Sequence, residues 1–451
     1  MRSFDIASKP NRRTTVVRGF TVTDAMLNKS TYTLLTAVQY INTIMFLSKK
    51  GNKSVLFLIT LQTLAFIFQR PRSQVSISSK KTVLSGGEEL AQRIQSKCID
   101  YMPTFKQGRT TFPVTTNTRH KLLLCPMCKL ASTYWTRFFT LLKKFDNHTY
   151  ITPFDIPLKD APPTRERLTL NPGQNTPAYR QHYKFMFVRD PYSRILSAYI
   201  DKIFAPNPTF WDMISRNEIR RFRPSNAPRG ACHSDLRFEE YIRAVITNHR
   251  PDSQRRKVDC HDESFISACH PCEVGYNFIG KMEIFSTDAL HLYNRLHMNE
   301  TINELQKHGK ELADMDAMTD TVNSPFEWKK DIKKCIPWRQ ALNRVWRKLQ
   351  IRGVIGKQQL PLNDEEAEAI TKERFFDLIK KTQALTSYKE RKQQRVDAMR
   401  EIFASVPMEY LQELKTAYKE DFDLFEYNDD PGDIFHVNRS SLVHYGYLDL
   451  N

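Results

Sequence analysis

The stretch from residue 184 to 203, KFMFVRDPYSRILSAYIDKI, constrains the fold more than any other part of the chain. Its apolar run Phe185–Val188 predicts a strand buried on both faces, as in a parallel sheet. Asp190 is a favourable helix N-cap and Pro191 suits the first helical position, and the apolar residues that follow have helical spacing. The sequence therefore predicts a strand leading directly into a helix. Arg189 would lie at the carboxyl end of that strand, where open α/β sheets bind ligands.

This corner has the side chains of a phosphate site. The guanidinium of Arg189 offers a fork of donors, and Ser197 lies two turns into the predicted helix, so both can converge on one phosphate group. The alternative is that Arg189 pairs with a nearby carboxylate and that Ser197 is a small packing residue. The corner alone leaves both interpretations open.

A second corner has a similar design. Residues 121–142 read KLLLCPMCKLASTYWTRFFTLL, in which Leu122–Cys125 predicts a short buried strand and the residues from Trp135 onward predict a helix packed on the sheet. Lys129 lies in the loop between them, next to a predicted helix N-terminus that offers free N–H groups and the positive end of the dipole to an anion. The Walker spacing G-x-x-x-x-G-K-[ST] is absent, which argues against a standard ATP or GTP hydrolase.

The chain resembles the Golgi carbohydrate sulfotransferases, in the branch that includes the chondroitin and dermatan 4-O-sulfotransferases and the HNK-1 sulfotransferase. The corner around Lys129 is similar to that branch's C-x-x-P-K-[VA]-A-[CS]-T-x-W-x-R motif, with Cys128 in place of proline and Tyr134 in place of a common asparagine. The matching residues are Cys125, Lys129, Ala131, Ser132, Thr133, Trp135 and Arg137.

Three further blocks follow in the same order. Residues 188–202 match V-R-D-P-[FY]-x-R-[LI]-L-S-A-Y-x-D-K at every fixed position. Residues 269–283 are similar to C-x-P-C-x-x-x-Y-[DN]-F-[IV]-G-K-x-E, and residues 418–427 to Y-x-x-D-F-x-L-F-x-Y. The charge-dense, helical region from about 297 to 405 is longer than is usual in the family, and the resemblance implies nothing there.

The resemblance implies a P-loop-like α/β sulfotransferase domain with a central parallel sheet flanked by helices. The implied activity is transfer of the sulfonyl group from 3′-phosphoadenosine 5′-phosphosulfate (PAPS) to a glycan hydroxyl, with the GalNAc 4-O position of chondroitin or dermatan as the first expectation and no metal. A glucuronyl-terminated acceptor of the HNK-1 type is one alternative. A degenerate member that binds PAPS or glycan without turnover is another, suggested by Cys128 and Tyr134.

Site residues follow from the same resemblance. The first corner would hold the 5′-phosphosulfate and the second the 3′-phosphate; the implied donor-binding residues are Lys129, Leu130, Ala131, Ser132, Thr133, Trp135, Arg189 and Ser197. Lys129 would also stabilise charge on the leaving phosphate oxygen. The family carries a histidine eight residues before the third block, which corresponds to His261 and makes it the expected general base; His249 is the rival.

The cysteines allow two interpretations. The chain has eight, including the C-x-x-C pairs Cys125/Cys128 and Cys269/Cys272. Two such pairs can form a zinc site, but their separation far exceeds the usual gap of about 15–20 residues. Because the family is lumenal, the resemblance implies that Cys269 and Cys272 form disulfides.

The N-terminal region predicts a membrane anchor. Residues 55–68 carry no charge and follow several lysines, although a span needs about 20 residues and a buried core helix is the alternative. The predicted organisation is a type II, single-pass Golgi protein with a lumenal catalytic domain. Its parts are a cytoplasmic tail (1–54), a signal anchor (55–69), a stem (70–117), the catalytic domain (118–430) and a C-terminal tail (431–451).

A formal net charge of +18 predicts polyanionic partners. The resemblance narrows these to an acidic glycosaminoglycan or a glycoprotein glycan. Nucleic acid is disfavoured, because no recognised nucleic-acid module occurs and the basic residues are spread along the chain.

Overall fold

The structure is a computed structural model that describes residues 84–101, 110–144, 150–163, 166–170, 179–250 and 259–449. Within these ranges no helix is both long enough and apolar enough to cross a membrane. The predicted cytoplasmic tail and signal anchor lie outside the described residues.

A five-stranded mixed sheet forms the centre of the described part, in the order β3-β1-β2-β4-β5. Its strands are β1 (Thr110–Asn117), β2 (Leu122–Leu124), β3 (Glu166–Leu170), β4 (Tyr183–Val188) and β5 (Phe278–Lys281). β2, β4 and β5 are parallel, as predicted, whereas β1 runs antiparallel to both β2 and β3. The predicted central parallel sheet is confirmed for β2, β4 and β5, and the sheet is mixed because the short turn between β1 and β2 reverses the chain into an antiparallel pair.

The strand register aligns the carboxyl ends of β4 and β5, whereas the parallel strand β2 ends three residues before β4 does. Leu124 pairs with Phe185 across β2 and β4, and Val188 pairs with Lys281 across β4 and β5. The segments that leave β2, β4 and β5 therefore emerge at one edge of the sheet, where ligands of α/β proteins bind.

Helices cover the sheet and build a large C-terminal layer. Those of the described residues are α1 (Gly86–Tyr101), α2 (Ser132–Lys144), α3 (Pro191–Tyr199), α4 (Pro208–Phe210), α5 (Arg216–Phe222), α6 (Phe238–His249), α7 (Phe265–Cys269), α8 (Pro271–Val274), α9 (Phe285–Arg295), α10 (Asn299–Glu327), α11 (Lys329–Ile332), α12 (Trp338–Ile351), α13 (Asp364–Ala369), α14 (Lys372–Ala384), α15 (Tyr388–Ala404), α16 (Met408–Ala417), α17 (Lys419–Phe425) and α18 (Gly432–Phe435).

The range predicted as a stem contributes to the folded unit. Helix α1 buries Leu90 and Ile94, and a disulfide joins its Cys98 to Cys272 with the Cα atoms 5.4 Å apart. Strand β1 also falls within residues 70–117 and occupies an inner position of the sheet. At the other end, the range predicted as a C-terminal tail contains α18 and the fully buried Tyr447.

The proline-containing segment 205–231 is helical from Pro208 to Phe222. Helix α4 continues through a π-helical turn, Trp211–Ser215, into α5. Trp211 is fully buried and its indole N–H donates to the carbonyl of Ile203 at 2.8 Å. Burial of this aromatic side chain explains why the prolines nearby did not leave the segment irregular.

All eight cysteines lie in described residues and are paired. The disulfides are Cys98–Cys272, Cys125–Cys269, Cys128–Cys260 and Cys232–Cys335. The expectation that Cys269 and Cys272 form disulfides is confirmed. The partners lie far away in sequence rather than within either C-x-x-C pair, so these sulfurs offer no thiolate for the zinc alternative.

Candidate active site: a cationic pocket at the sheet edge

The corner after β4 has the predicted geometry. The Asp190 carboxylate accepts a hydrogen bond from the Ser193 N–H at 2.7 Å, which caps α3, and Pro191 is its first residue. Glu283, just beyond β5, accepts from the Asp190 N–H at 3.0 Å and ties the corner to the neighbouring strand. Arg189 is thereby held at the sheet edge.

Arg189 projects towards other cations. Among the described residues its side chain forms no salt bridge; it donates to the backbone carbonyl of Lys129 at 3.5 Å. Burial, followed by the charge of nearby Arg395, lowers the pKa of Arg189 to about 10 against the opposing effect of Glu283. Arg189 thus stays charged at neutral pH. A partly desolvated guanidinium without a paired carboxylate suits an anionic ligand.

The loop after β2 brings Lys129 to the same place. Lys129 and Ala131 both adopt left-handed backbone conformations, with φ of 66° and 56°. Such conformations are costly for residues with a Cβ and persist where the surrounding structure enforces them, often at functional sites. Helix α2 then begins at Ser132, and its first N–H groups have no partner within the helix.

Asp201 gathers three lysines around one carboxylate. The Lys129 ammonium donates to Asp201 Oδ2 at 2.7 Å, the Lys348 ammonium donates to Oδ1 at 2.6 Å, and Lys202 lies 3.3 Å from Oδ2. Burial alone would raise the pKa of Asp201, but Lys348, Lys129 and Lys202 outweigh it and hold the pKa well below its usual value. Asp201 lies on a π-helical turn, Ile200–Phe204, that extends α3.

Lys129 is the most perturbed cation of the group. Burial lowers its pKa to about 8, despite the favourable charge of Asp201, and the like charges of Lys348 and Lys202 add to the decrease. A lysine with this pKa changes charge near neutral pH. Strongly shifted groups in a cleft mark candidate functional sites.

The opposite wall of the pocket comes from the C-terminal helices. Lys348 on α12, Arg352 just after it and Arg395 on α15 line the same cavity of about 410 Å³ as Lys129 and Arg189. Ser193 and Ser197 of α3 also line this cavity, together with the acidic residues Asp201, Glu283 and Asp314. Five cationic side chains against three acidic ones leave the pocket positive, and its size is in the range of small-molecule sites, roughly 300–1,000 Å³.

The predicted site residues are only partly brought together. Lys129, Arg189 and Ser197 line the pocket. The side chains of Leu130 and Trp135 are 2% and 3% exposed and belong to the hydrophobic core, so they support the loop from behind. Ala131, Ser132 and Thr133 follow Lys129 at the start of α2, where their backbone N–H groups, rather than side chains in the cavity, are what the fold offers an anion.

Sequence reasoning missed Lys348, Arg352 and Arg395. They lie in the charge-dense helices for which the resemblance implied nothing. Lys348 follows Arg347 in a basic helix, and its side chain is only 7% exposed. A buried lysine on an otherwise well-packed helix face is informative, but the sequence does not show which lysine of the region is buried.

His261 lies next to the pocket rather than in its lining. In sequence, His261 comes directly after Cys260. The disulfide partner of Cys260 is Cys128, which directly precedes Lys129. The His261 Nδ1–H donates to the Asp259 carboxylate, and the ring contacts that of Phe210 with centroids 5.6 Å apart.

The rival His249 has a structural environment. It ends α6, its Nδ1–H donates to the Val245 carbonyl at 2.9 Å, and its ring lies 4.6 Å from that of Tyr418. Burial lowers the pKa of His249 and so favours the neutral ring. These contacts assign it to helix capping and packing.

Comparison with known proteins decides the family. A sequence profile described as "Sulfotransferase family" matches residues 113–348, which is more than half of the chain. The chain belongs to the sulfotransferase family. The matched range of this sulfotransferase family member begins within β1, contains the other four strands, both corners and Lys348, and ends before Arg352 and Arg395.

Several curated relatives carry the name carbohydrate sulfotransferase. The chain is 33% identical to carbohydrate sulfotransferase 11 of Rattus norvegicus over 178 residues, which are 38% of this chain and 49% of the relative. It is 27% identical to carbohydrate sulfotransferase 9 of Homo sapiens over 175 residues, 38% of each chain. The match to carbohydrate sulfotransferase 12 of Mus musculus is 23% identical over 284 residues, 59% of this chain and 66% of that relative.

The first of these matches spans about half of the relative's length. No solved structure matches the chain.

The two departures from the family motif are accommodated away from the cavity. Cys128 is in a disulfide with Cys260. The Tyr134 hydroxyl hydrogen-bonds that of Tyr293 at 2.6 Å inside the core, and its ring packs against Phe285. Neither side chain lines the pocket.

Proposed function

We propose that this protein transfers the sulfonyl group of PAPS to a hydroxyl of a glycan. The observation that carries the proposal is the positive pocket at the carboxyl ends of three parallel strands, in which Lys129, Arg189 and Ser197 converge. Two motif-bearing corners from different parts of the chain meet there, in a member of the sulfotransferase family.

In this proposal the two corners divide the donor between them. The loop after β2 and the N-terminus of α2 bind the 5′-phosphosulfate through Lys129 and backbone N–H groups. The corner after β4 binds the 3′-phosphate through Arg189 and Ser197, with Arg395 and Arg352 opposite. Because ATP lacks a 3′-phosphate, this second set selects PAPS over ATP.

Lys129 stabilises the leaving group. During transfer the acceptor oxygen forms a bond to sulfur, and the bond from sulfur to the phosphate oxygen breaks. Negative charge then builds on the phosphate, where a positioned ammonium is most effective because Asp201 already fixes its orientation. His261 accepts the proton of the attacking hydroxyl, with Asp259 accepting from the opposite ring nitrogen.

The cellular setting follows from chemistry and sequence together. Four disulfides suit an oxidising compartment. Combined with the apolar run 55–68 and a glycan acceptor, they support a type II membrane protein with its folded unit in the Golgi lumen. We propose chondroitin or dermatan, with the GalNAc 4-hydroxyl as acceptor; a positive chain suits such polyanions.

A transfer assay tests the function. The full chain is given sulfur-labelled PAPS and a panel of desulfated chondroitin, dermatan, heparan and glucuronyl-terminated glycans. We expect label on chondroitin or dermatan and its loss in Lys129→Ala, whereas Lys159→Ala, which removes an exposed lysine, leaves transfer unchanged. Label on a glucuronyl-terminated chain alone would reassign the acceptor. Binding of 3′-phosphoadenosine 5′-phosphate (PAP) without transfer to any glycan would contradict the enzyme function.

A further inference from the structure

The disulfide between Cys128 and Cys260 joins the two candidate catalytic segments. Cys128 directly precedes Lys129, and Cys260 directly precedes His261, with the two cysteine Cα atoms 5.5 Å apart. A ring nitrogen of His261 and both sulfurs of the bridge lie within 4.8 Å of one another. One disulfide therefore joins the residue before the proposed leaving-group cation, Lys129, to the residue before the proposed base, His261.

A second contact holds the same turn to helix α3. The buried Arg194 donates from Nη2 to the Cys260 carbonyl at 2.8 Å and from Nη1 to the Glu263 carbonyl at 2.6 Å. Its guanidinium also lies 4.7 Å from the ring centroid of Phe265. Since α3 also carries Ser197 into the pocket, the turn with His261 is attached to a helix that forms part of the wall of the donor site.

Asp259 fixes the histidine ring. Its carboxylate accepts from both the backbone N–H of His261, at 2.9 Å, and the ring Nδ1–H. A carboxylate can only accept, so Nδ1 carries the proton of the neutral ring and Nε2 holds the lone pair. The tautomer is thus the one in which Nε2 can act as a base.

A series of side-chain contacts, separate from the disulfide, also connects the His261 ring to Lys129. The His261 ring contacts Phe210, and the Lys202 ammonium lies 4.9 Å from the centroid of the Phe210 ring. Lys202 and Lys129 both contact Asp201 Oδ2. The disulfide and this series of contacts therefore link the same two catalytic candidates by separate routes.

We propose that the Cys128–Cys260 disulfide and Asp259 are positioning residues that set His261 in register with Lys129 for the transfer step. This inference rests on the proposed function. Cys128 stands where the family motif has proline, so in this chain a disulfide beside Lys129 takes the place of a residue that stiffens the loop. The bridge then determines where His261 lies relative to Lys129, and it has little effect on the affinity for the donor.

A plain stabilising role for the bridge is the competing explanation, and another disulfide provides the control. Cys232–Cys335 also closes a long loop, of 103 residues against 132, but neither of its cysteines is adjacent to a site residue. Loss of either bridge should cost stability of similar size, because chain-entropy effects grow only slowly with loop length. Only loss of Cys128–Cys260 should affect catalysis.

The experiment compares Cys128→Ala/Cys260→Ala with Cys232→Ala/Cys335→Ala in the full chain, below the melting temperature of both. For the first variant we expect kcat to fall by about 100-fold, because a misplacement of about 1 Å costs that much. Its PAP affinity and its KM for PAPS should change little. The second variant should lose thermal stability but keep kcat. A kcat unchanged in the first variant, or reduced equally in both, overturns the proposal.

A mutational cycle asks whether the bridge acts through His261. Removing it from a His261→Ala protein should cost no further activity, with kcat values that agree within about twofold. An additional large loss in the His261→Ala background would mean that the bridge acts by general stability and not by positioning. Should the cysteine variant fail to fold, Asp259→Asn keeps the disulfide and must still lower kcat without weakening PAP binding; unchanged kcat there also overturns the proposal.

The outcomes separate this inference from the function on which it rests. A wild-type protein that binds PAP but sulfates no glycan overturns both. A wild-type protein that transfers sulfonate, with a bridge-free variant that transfers equally well, overturns only the positioning role.

Discussion

Lys129 and Lys348 bind opposite oxygens of one carboxylate, Asp201, at 2.7 and 2.6 Å. The two lysines come from the loop after β2 and from α12, more than 200 residues apart in sequence. One acidic side chain therefore orients the cations of both walls before any ligand enters. Preorganised charge of this kind is what electrostatic catalysis requires, since the site need not reorganise during the reaction.

Asp201→Asn should destabilise the protein. Lys348 is only 7% exposed, and removing its counter-charge leaves a buried ammonium unpaired. Breaking a buried pair in this way costs about 3 kcal/mol. Denaturant unfolding measures the loss, and PAP should stabilise Asp201→Asn more than wild type, because its phosphates replace the missing negative charge. Asp331→Asn, which removes an exposed partner of Lys334, is the matched control and should have little effect. Equal stability of both variants would contradict the shared counter-ion role.

Donor affinity should weaken as the pH rises above about 8. Burial lowers the pKa of Lys129 to about 8, so the ammonium is charged below that pH and loses its proton above it. If the phosphate binds the charged form, the affinity for PAP falls by up to about tenfold per pH unit in this range. Titration calorimetry from pH 7 to 9.5 measures the slope. Lys129→Arg keeps its charge throughout and should flatten it; an equally steep fall in that variant would assign the proton to another group.

Arg395→Ala should reduce affinity for PAP more than for AMP. Arg395 faces Arg189 across the cavity, on the side proposed to bind the 3′-phosphate, which AMP lacks. Loss of a hydrogen bond to a charged group corresponds to about tenfold in affinity. Lys392→Ala removes an exposed cation from the same helix, α15, and provides the control for general charge. Equal weakening of both nucleotides by Arg395→Ala would move its contact away from the 3′-phosphate.

The turn that carries His261 should make stability depend on pH. Burial, reinforced by the charge of Asp259, raises the pKa of the Asp262 carboxyl to about 7, against the opposing effect of Arg194. Because the folded-state pKa lies above that of the unfolded chain, this group's contribution to stability is complete below about pH 4 and is lost as the pH rises through about 7.

Melting temperatures between pH 5.5 and 8 test the expected dependence. Wild type should become less stable as the pH rises over this interval. Asp262→Asn, which mimics the neutral carboxyl, should show a shallower dependence. An identical slope in the two proteins would mean that another group carries the titration.

Much of the sheet edge was predictable from local sequence. The apolar run of β4, the Asp190 cap and the helix N-terminus that follows Lys129 are each set by neighbouring residues, and the structure confirms all three. The antiparallel strand β1 was not predicted, because residues 110–117 lie in a polar stretch that lacks a clear strand pattern.

The cationic residues of the C-terminal helices were not predicted, for a different reason. Lys348, Arg352 and Arg395 point inward because of the way in which the long amphipathic helices pack. In a helix rich in Lys and Arg, the sequence pattern is the same whether a given cation faces a cavity or solvent. In the sequence alone, Cys128 suggests a degenerate family member. Its pairing with Cys260 depends on contacts across 132 residues, which one sequence does not show.

Helix α15 contributes Arg395 and Met399 to the cavity lining, and it packs against α3 through the ring contact between Phe403 and Tyr192 and through Met399 against Ser193. An anion bound in the cavity would therefore contact both α3 and α15 and stabilise their packing. Any fluctuation that lifts α15 from α3 also takes Arg395 away from Arg189. Local opening of the C-terminal helices would then loosen the hold on the spent nucleotide from one side of the site.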